Sequence, residues 1–219
     1  MTTTKTEPAI RGLHATTPEA LPFAGDLMAR AFLLERGRGN LLIYSTGSLE
    51  RDVEELHARG GVTRQYLNHW HEAMFGLAPA SLSARLIHHR AEAPHVEGRG
   101  GRGRAFSRRH RLDPDFEVIP TPGHTAGATA YLWDNRDHRM LFTGDTIFLR
   151  EGEWVAAVIQ GSDRERYIAS LELIRELDFD LLVPWAASAG GPYVTAVQPP
   201  ERRTRIDRII ARLRNGGDH

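Results

Sequence analysis

Short apolar runs bounded by polar turns recur along this chain, and the clearest helical spacings come towards its end. Residues 27–35 (LMARAFLLE) and 41–45 (LLIYS) flank the Gly- and Asn-rich residues 36–40 (RGRGN). Two apolar runs around such a turn predict a β-hairpin. Ser48 then stands at an N-cap position, with Leu49, Val53 and Leu56 on one helical face. Gly60-Gly61 ends that helix, since glycine accepts the left-handed conformation. Residues 62–67, 85–90, 116–120 (FEVIP), 128–133 (ATAYLW), 140–143 (MLFT) and 179–184 (FDLLVP) predict further strands. Ser162 and Glu165 have capping-box spacing, and Tyr167, Leu171, Ile174 and Leu177 form an apolar stripe behind them. Residues 201–213 put Ile206, Ile209, Ile210 and Leu213 on one face, with arginines elsewhere, which predicts an amphipathic helix docked on the domain.

Strands therefore occur in both halves, each group followed by a helix, and no Pro/Ser-rich linker or short repeat divides them. A single domain over residues 1–219 is expected, with sheet inside and helices outside. The Thr-rich residues 1–8 read as a flexible tail. Residues 98–111 (GRGGRGRAFSRRHR) read as a mobile Gly/Arg loop beside the site, in preference to an RNA- or anion-binding element.

Composition supports that preference. Lys+Arg and Asp+Glu both total 28, so the formal net charge is zero. Nucleic acid or an acidic membrane as main partner would reward a positive excess. No segment offers the ~20 apolar residues needed to span a bilayer, and the N-terminus lacks a signal-peptide core. The chain has no cysteine, which excludes disulfides and thiolate metal sites. These absences fit a cytoplasmic protein acting on a small-molecule substrate, and they leave a homo-oligomer open. Any bound metal must use His, Asp or Glu.

Three motifs carry candidate chemistry: His69-Trp70-His71, residues 122–125 (PGHT) and residues 143–145 (TGD). Each directly follows an apolar strand, where side chains are held rigidly yet face a cleft. Singly they are weak, because His-x-His pairs and Gly-Asp turns are common. His88, His89, His95 and His110 sit in or near the Arg-rich region and read as surface histidines.

The order of the motifs changes their weight. Strand-HxH, strand-TPGHTxG, strand-TGD, helix and strand-Pro resembles the metallo-β-lactamase superfamily, from the 27–45 hairpin to Pro184, most specifically over residues 118–148. That resemblance implies an α/β fold, an αββα sandwich of two packed mixed sheets with helices on the outer faces. It also implies two metal sites along one edge. Carried over residue by residue, the first site is complete in His69, His71 and His124, and the bridging acid is Asp145. The second is degenerate: Ala73 stands where the family has Asp and Met74 where it has His. The late histidine is missing as well, since Pro184 leads into Trp185-Ala186-Ala187. Glu72 is one residue out of register to replace the lost acid, and reads as solvent-facing or as support for a ligand. Ser45 stands where many relatives carry Asp.

Three imidazoles and a water form an open tetrahedral zinc centre, which lowers the pKa of its water to about 7. The leading expectation is a hydrolase of an ester, thioester or related acyl compound, using one Zn2+ with Asp145 as fourth ligand or proton acceptor. His69, His124 and Asp145 also match the ligand set of the family's iron persulfide dioxygenases, which makes Fe2+ the second candidate metal. A third reading is a catalytically reduced protein that binds a small hydrophobic ligand in a cleft made apolar by Ala73, Met74 and Ala186, beside Phe75, Trp185 and Trp70.

Overall fold

A computed structural model describes residues 10–218 of the chain; the tail expected at residues 1–8 lies outside the described residues. In chain order the strands of the first half are β1 (Leu13–Ala15), β2 (Glu19–Leu21), β3 (Ala24–Ala29), β4 (Phe32–Leu34) and β5 (Leu41–Ile43). Helix α1 (Val53–Ala58), β6 (Arg64–Tyr66), β7 (Arg85–His89), α2 (Ala93–Glu97), β8 (Gly103–Phe106) and β9 (His110–Asp113) follow. The second half holds β10 (Phe116–Pro120), β11 (Thr129–Asp134), β12 (Arg139–Gly144), β13 (Phe148–Arg150) and β14 (Glu153–Val155). It closes with α3 (Arg164–Glu176), β15 (Leu181–Pro184), β16 (Ala186–Ser188), β17 (Thr195–Ala196) and α4 (Pro199–Arg214).

The architecture is the expected mixed α/β arrangement of packed sheets and helices, with the strands grouped in three hydrogen-bonded sheets. One runs β1-β4-β5-β6-β7-β8, a second β17-β15-β12-β11-β10-β9, and a smaller third β14-β13-β16-β3-β2. Period-two alternation explains the layering. In β11, Tyr131 and Trp133 enter the core against the first sheet, while Ala130 and Leu132 face a second core shared with α3 and α4. Strand β12 divides Met140 and Phe142 from Leu141 in the same way. The expected stripe Tyr167, Leu171, Ile174 and Leu177 and the α4 residues Ile206, Ile209, Ile210 and Leu213 are all buried in that second core. Burying each such large side chain contributes roughly 1.5–3 kcal/mol.

Several expectations change in detail. The 41–45 run pairs in the predicted hairpin with Phe32–Leu34 only. Ala24–Ala29 pairs instead with β16 and β2, so the apolar run 27–35 crosses between sheets at Arg30-Ala31. Asp163, not Ser162, caps α3 by accepting from Arg166 N at 3.0 Å. Ser48 caps nothing; its hydroxyl donates to Thr17 O at 2.7 Å. The Gly/Arg stretch 98–111, expected as a loop, supplies an edge strand to each six-stranded sheet, β8 parallel to β7 and β9 antiparallel to β10. Low strand propensity misled there, because an edge needs only backbone pairing, and exposed arginines guard it against further pairing. Likewise His88 is buried.

What places the site is the run of parallel strands. Strands β5, β6, β7 and β8 are parallel neighbours, as are β12 and β15. Parallel sheets present functional groups beyond their carboxyl ends. The segments leaving β5, β6, β7, β12 and β15 carry Ser45, His69, Glu92, Asp145 and Trp185 respectively.

Candidate metal centre

Asn68, fully buried, joins the strand ends that carry the motifs. Its carbonyl accepts from Thr129 N at 3.0 Å, and its amide donates to Thr143 O at 3.1 Å and to Thr129 O. Gly144 faces that amide with φ +56°, and a Cβ there would stand 2.0 Å from the Asn68 side chain. Only glycine fits the turn before Asp145.

His69 opens the 3-10 turn Trp70–Met74. Glu72 in that turn is fully buried, not solvent-facing. Its Oε1 accepts from Asn68 N at 2.9 Å and His69 N at 3.2 Å, and lies 3.2 Å from His69 Nδ1. A proton held on Nδ1 leaves the Nε2 lone pair free. His124, in the loop between β10 and β11, meets Ala157 O through Nδ1 at 2.8 Å, which likewise frees Nε2. The loop is tied down by Ser162 Oγ, which donates to His124 O at 2.9 Å. Tyr167 on α3 donates its hydroxyl to the carbonyls of Asp145 and Thr146, each at 2.9 Å.

The four expected donors come together. One donor atom from each of His69, His71, His124 and Asp145 lies within 4.8 Å of all the others. The imidazole centroids are 4.9, 5.0 and 5.1 Å apart, with rings steeply inclined to one another at 80–84°. His71 Nδ1 lies 3.1 Å from His124 Nε2, and Asp145 Oδ2 lies 3.3 Å from His69 Nε2 and 3.7 Å from His124 Nε2. Yet His69 Nε2 is buried without a hydrogen bond. A buried nitrogen without a well-formed hydrogen bond, facing a carboxylate and two further imidazoles, fits a divalent cation.

The electrostatics are polarised. Burial opposes charge on His69, but the carboxylates of Asp145 and Glu72 outweigh it and raise its pKa to about 10. Burial pushes Glu72 up and lowers His71 to about 3 and His124 to about 4, with charge on His69 adding to the last two effects. Asp145 is held below the usual carboxylate range, because the nearby imidazoles outweigh its desolvation. Positive charge in the pocket is thus favoured at His69, beside the two carboxylates.

The residues at the positions where the resemblance implies a second site scatter. Ala73 packs with Leu67, Leu86 and Val96, Met74 is exposed, and Ala186 is buried in β16. Trp185 is buried with its ring centroid 5.5 Å from that of His69. Its indole N–H donates to Ser45 O at 2.8 Å, so Ser45 supports Trp185.

A family model of the metallo-beta-lactamase superfamily matches residues 51–186, more than half of the chain. The chain belongs to the metallo-β-lactamase superfamily. Solved structures of similar fold include a metallo-beta-lactamase from Pontibacter korlensis, at 14% identity and TM-score 0.67, covering 95% of this chain and 97% of that one. ETHE1 from Myxococcus xanthus aligns at 21% identity and TM-score 0.57, covering 91% of each chain. TTHA1623, solved in a di-iron-bound form, aligns at 22% identity and TM-score 0.61, covering 83% of this chain and 94% of that one. No curated protein sequence matches significantly. The metallo-β-lactamase motifs account for the donors, but not for Asn68, Glu92 or Tyr167, which no local pattern marks because their partners are distant in sequence.

Proposed function

We propose that this protein is a metal-dependent hydrolase of an ester, thioester or related acyl compound, working with one divalent ion. Zinc is the first choice, held by His69, His71 and His124, with Asp145 beside it as fourth ligand or proton acceptor. The convergence of these four side chains carries the reading, together with the fact that no other such group occurs among the described residues. A divalent ion bound there supplies Lewis acidity and water acidified to a pKa of about 7.

The chain's own residues do the rest. Glu72 and Ala157 O keep protons on the outer nitrogens of His69 and His124, so that Nε2 of each faces inward. Binding a cation releases the proton that the two carboxylates hold on His69. Asp145, ionised at neutral pH, orients the attacking water and takes its proton. Trp185 and Phe75, with ring centroids 5.4 Å apart, keep solvent from behind His69. Phe23, Met74 and Ile159 are the exposed large apolar side chains among the described residues. Phe23 packs on Phe75, Met74 shares the turn of His71, and Ile159 lies two residues beyond Ala157. An acyl chain finds its apolar contacts there.

Elemental analysis of protein purified without added metal, repeated for His71→Ala, tests the proposal alongside hydrolysis of 4-nitrophenyl esters. About one zinc per chain, lost in the variant together with esterase activity, supports it. Iron with oxygen uptake on a persulfide supports the dioxygenase instead. No metal under any loading condition removes both enzymes and leaves the ligand-binding protein.

A further inference from the structure

His71 is the half-buried imidazole of the site, and the surface continues outward from it over a fixed arrangement of rings. The Trp70 ring centroid lies 4.1 Å from that of His71. His95, exposed on α2, stacks on Trp70 at 4.4 Å and 19°. The exposed Arg99 guanidinium sits over the same indole, 4.9 Å from its centroid, and Nη1 donates to His95 O at 3.0 Å. Arginine suits such a place, because its planar fork stacks on an aromatic face and keeps several N–H groups for a ligand.

The nearby carboxylates are otherwise engaged. Glu92 is buried and accepts from Trp70 N and Gly127 N, and Glu72 from Asn68 N and His69 N. Among the described residues Arg99 has no carboxylate partner within ion-pair distance. A cation that is held in place, exposed, uncompensated and one ring away from a candidate metal ligand is placed to receive an anion.

We propose that Arg99, seated on Trp70 beside His71, binds an oxyanion group at one end of the substrate. The substrate class is then an acyl compound carrying a carboxylate or phosphate a few bonds from the scissile carbonyl. This rests on the hydrolase reading for the word substrate, but the anion site stands independently of turnover. Arg99 is a specificity residue: it touches the far end of the molecule and leaves the reacting carbonyl to the donors.

Equilibrium binding to zinc-loaded protein tests it with three acids of matched length. Glutarate and 4-phosphonobutyrate carry a second anion, and valerate carries a methyl group in its place. The wild type is expected to bind one or both dianions at least about tenfold more tightly than valerate, a difference of about 1.4 kcal/mol. Preference for one dianion over the other tells carboxylate from phosphate. Arg99→Gln is expected to remove the preference and Arg99→Lys to keep part of it, with zinc content unchanged in both. Equal binding of all three acids by the wild type, no binding of any, or a preference surviving in Arg99→Gln overturns the proposal. The wild-type rates on 4-nitrophenyl valerate and the 4-nitrophenyl monoester of glutarate separate the two ideas. No turnover of either ester, with the Arg99-dependent dianion preference intact, defeats the hydrolase and leaves the anion site.

Discussion

Glu92 reaches across the site to Gly127, where its Oε1 accepts the backbone N–H at 2.6 Å, while Oε2 accepts from Trp70 N at 2.8 Å. One buried carboxylate thus fixes the turn bearing His71 to the loop bearing His124. A Cβ on residue 127 would stand 2.5 Å from Oε1. Gly127→Ala is therefore expected to displace the carboxylate and leave buried donors unmatched, costing about 2–3 kcal/mol. Urea denaturation measures the loss. The exposed neighbour serves as control, so Ala126→Ser should leave the midpoint where it is. Equal midpoints for Gly127→Ala and the wild type would refute the bridge.

Glu72 acts on His69 alone among the imidazoles, through Nδ1. Carboxylates in this position orient a ligand histidine and raise its basicity, and their loss commonly weakens metal affinity 10–100-fold. Glu72→Gln keeps an acceptor but loses the charge, and about tenfold weaker zinc binding is expected. Glu72→Ala loses both, and the drop should approach a hundredfold. Chelator competition gives the affinities, and circular dichroism checks that the variants are folded. Wild-type affinity in Glu72→Ala would remove Glu72 from any role in the centre.

Much of this was legible in the chain because the informative patterns are local. The short apolar runs 128–133 and 140–143 mark β11 and β12, and the three motifs name the four side chains that the fold brings together. What escaped depends on tertiary pairing. The run 27–35 is continuous in hydrophobicity, yet its halves pair with different sheets. Ser162 and Asp163 are both good caps, and Ser162 was claimed by His124 O. The Gly/Arg stretch becomes strand because two sheet edges lie beside it, which no window of its own residues reveals. Glu92 carries no local signal of its own, because its partners Trp70 and Gly127 lie in the turn after β6 and the loop after β10.

Asp145 Oδ2 lies 3.3 Å from His69 Nε2 and 3.7 Å from His124 Nε2, and the proposed hydrolase uses this carboxylate as fourth ligand or as proton acceptor. Asp145→Asn preserves size and removes the negative charge. Zinc affinity is expected to fall about tenfold, as for loss of a supporting carboxylate. Ester hydrolysis at saturating zinc should fall by at least about a hundredfold, the scale of general-base loss. Measuring activity and bound zinc on the same sample separates these effects. Full activity in a zinc-loaded Asp145→Asn protein would exclude the acceptor role.

Arg36, in the turn of the β4–β5 hairpin, anchors the opposite end of the fold. Its buried guanidinium donates to Asp115 through Nε and Nη2 at 2.8 and 2.7 Å, and to Asp113 through Nη2 at 2.6 Å. The hydrogen bond from Arg36 is the main cause holding the Asp115 carboxyl below its ordinary value of 3.8, against the opposing effect of its partial burial. A folded-state pKa below the unfolded one contributes stability that is complete above about pH 4 and disappears as pH falls through the folded value. Asp115→Asn is expected to lower stability at pH 7 by about 1 kcal/mol, a modest figure because solvent reaches a third of the Asp115 side chain. The gap between wild type and variant should narrow below about pH 4, as the wild type protonates and loses the advantage. Paired urea titrations at pH 7 and pH 3 measure it. A gap of the same size at both values would show that packing around Phe116, over which the guanidinium sits at 5.7 Å, holds this end together instead of charge.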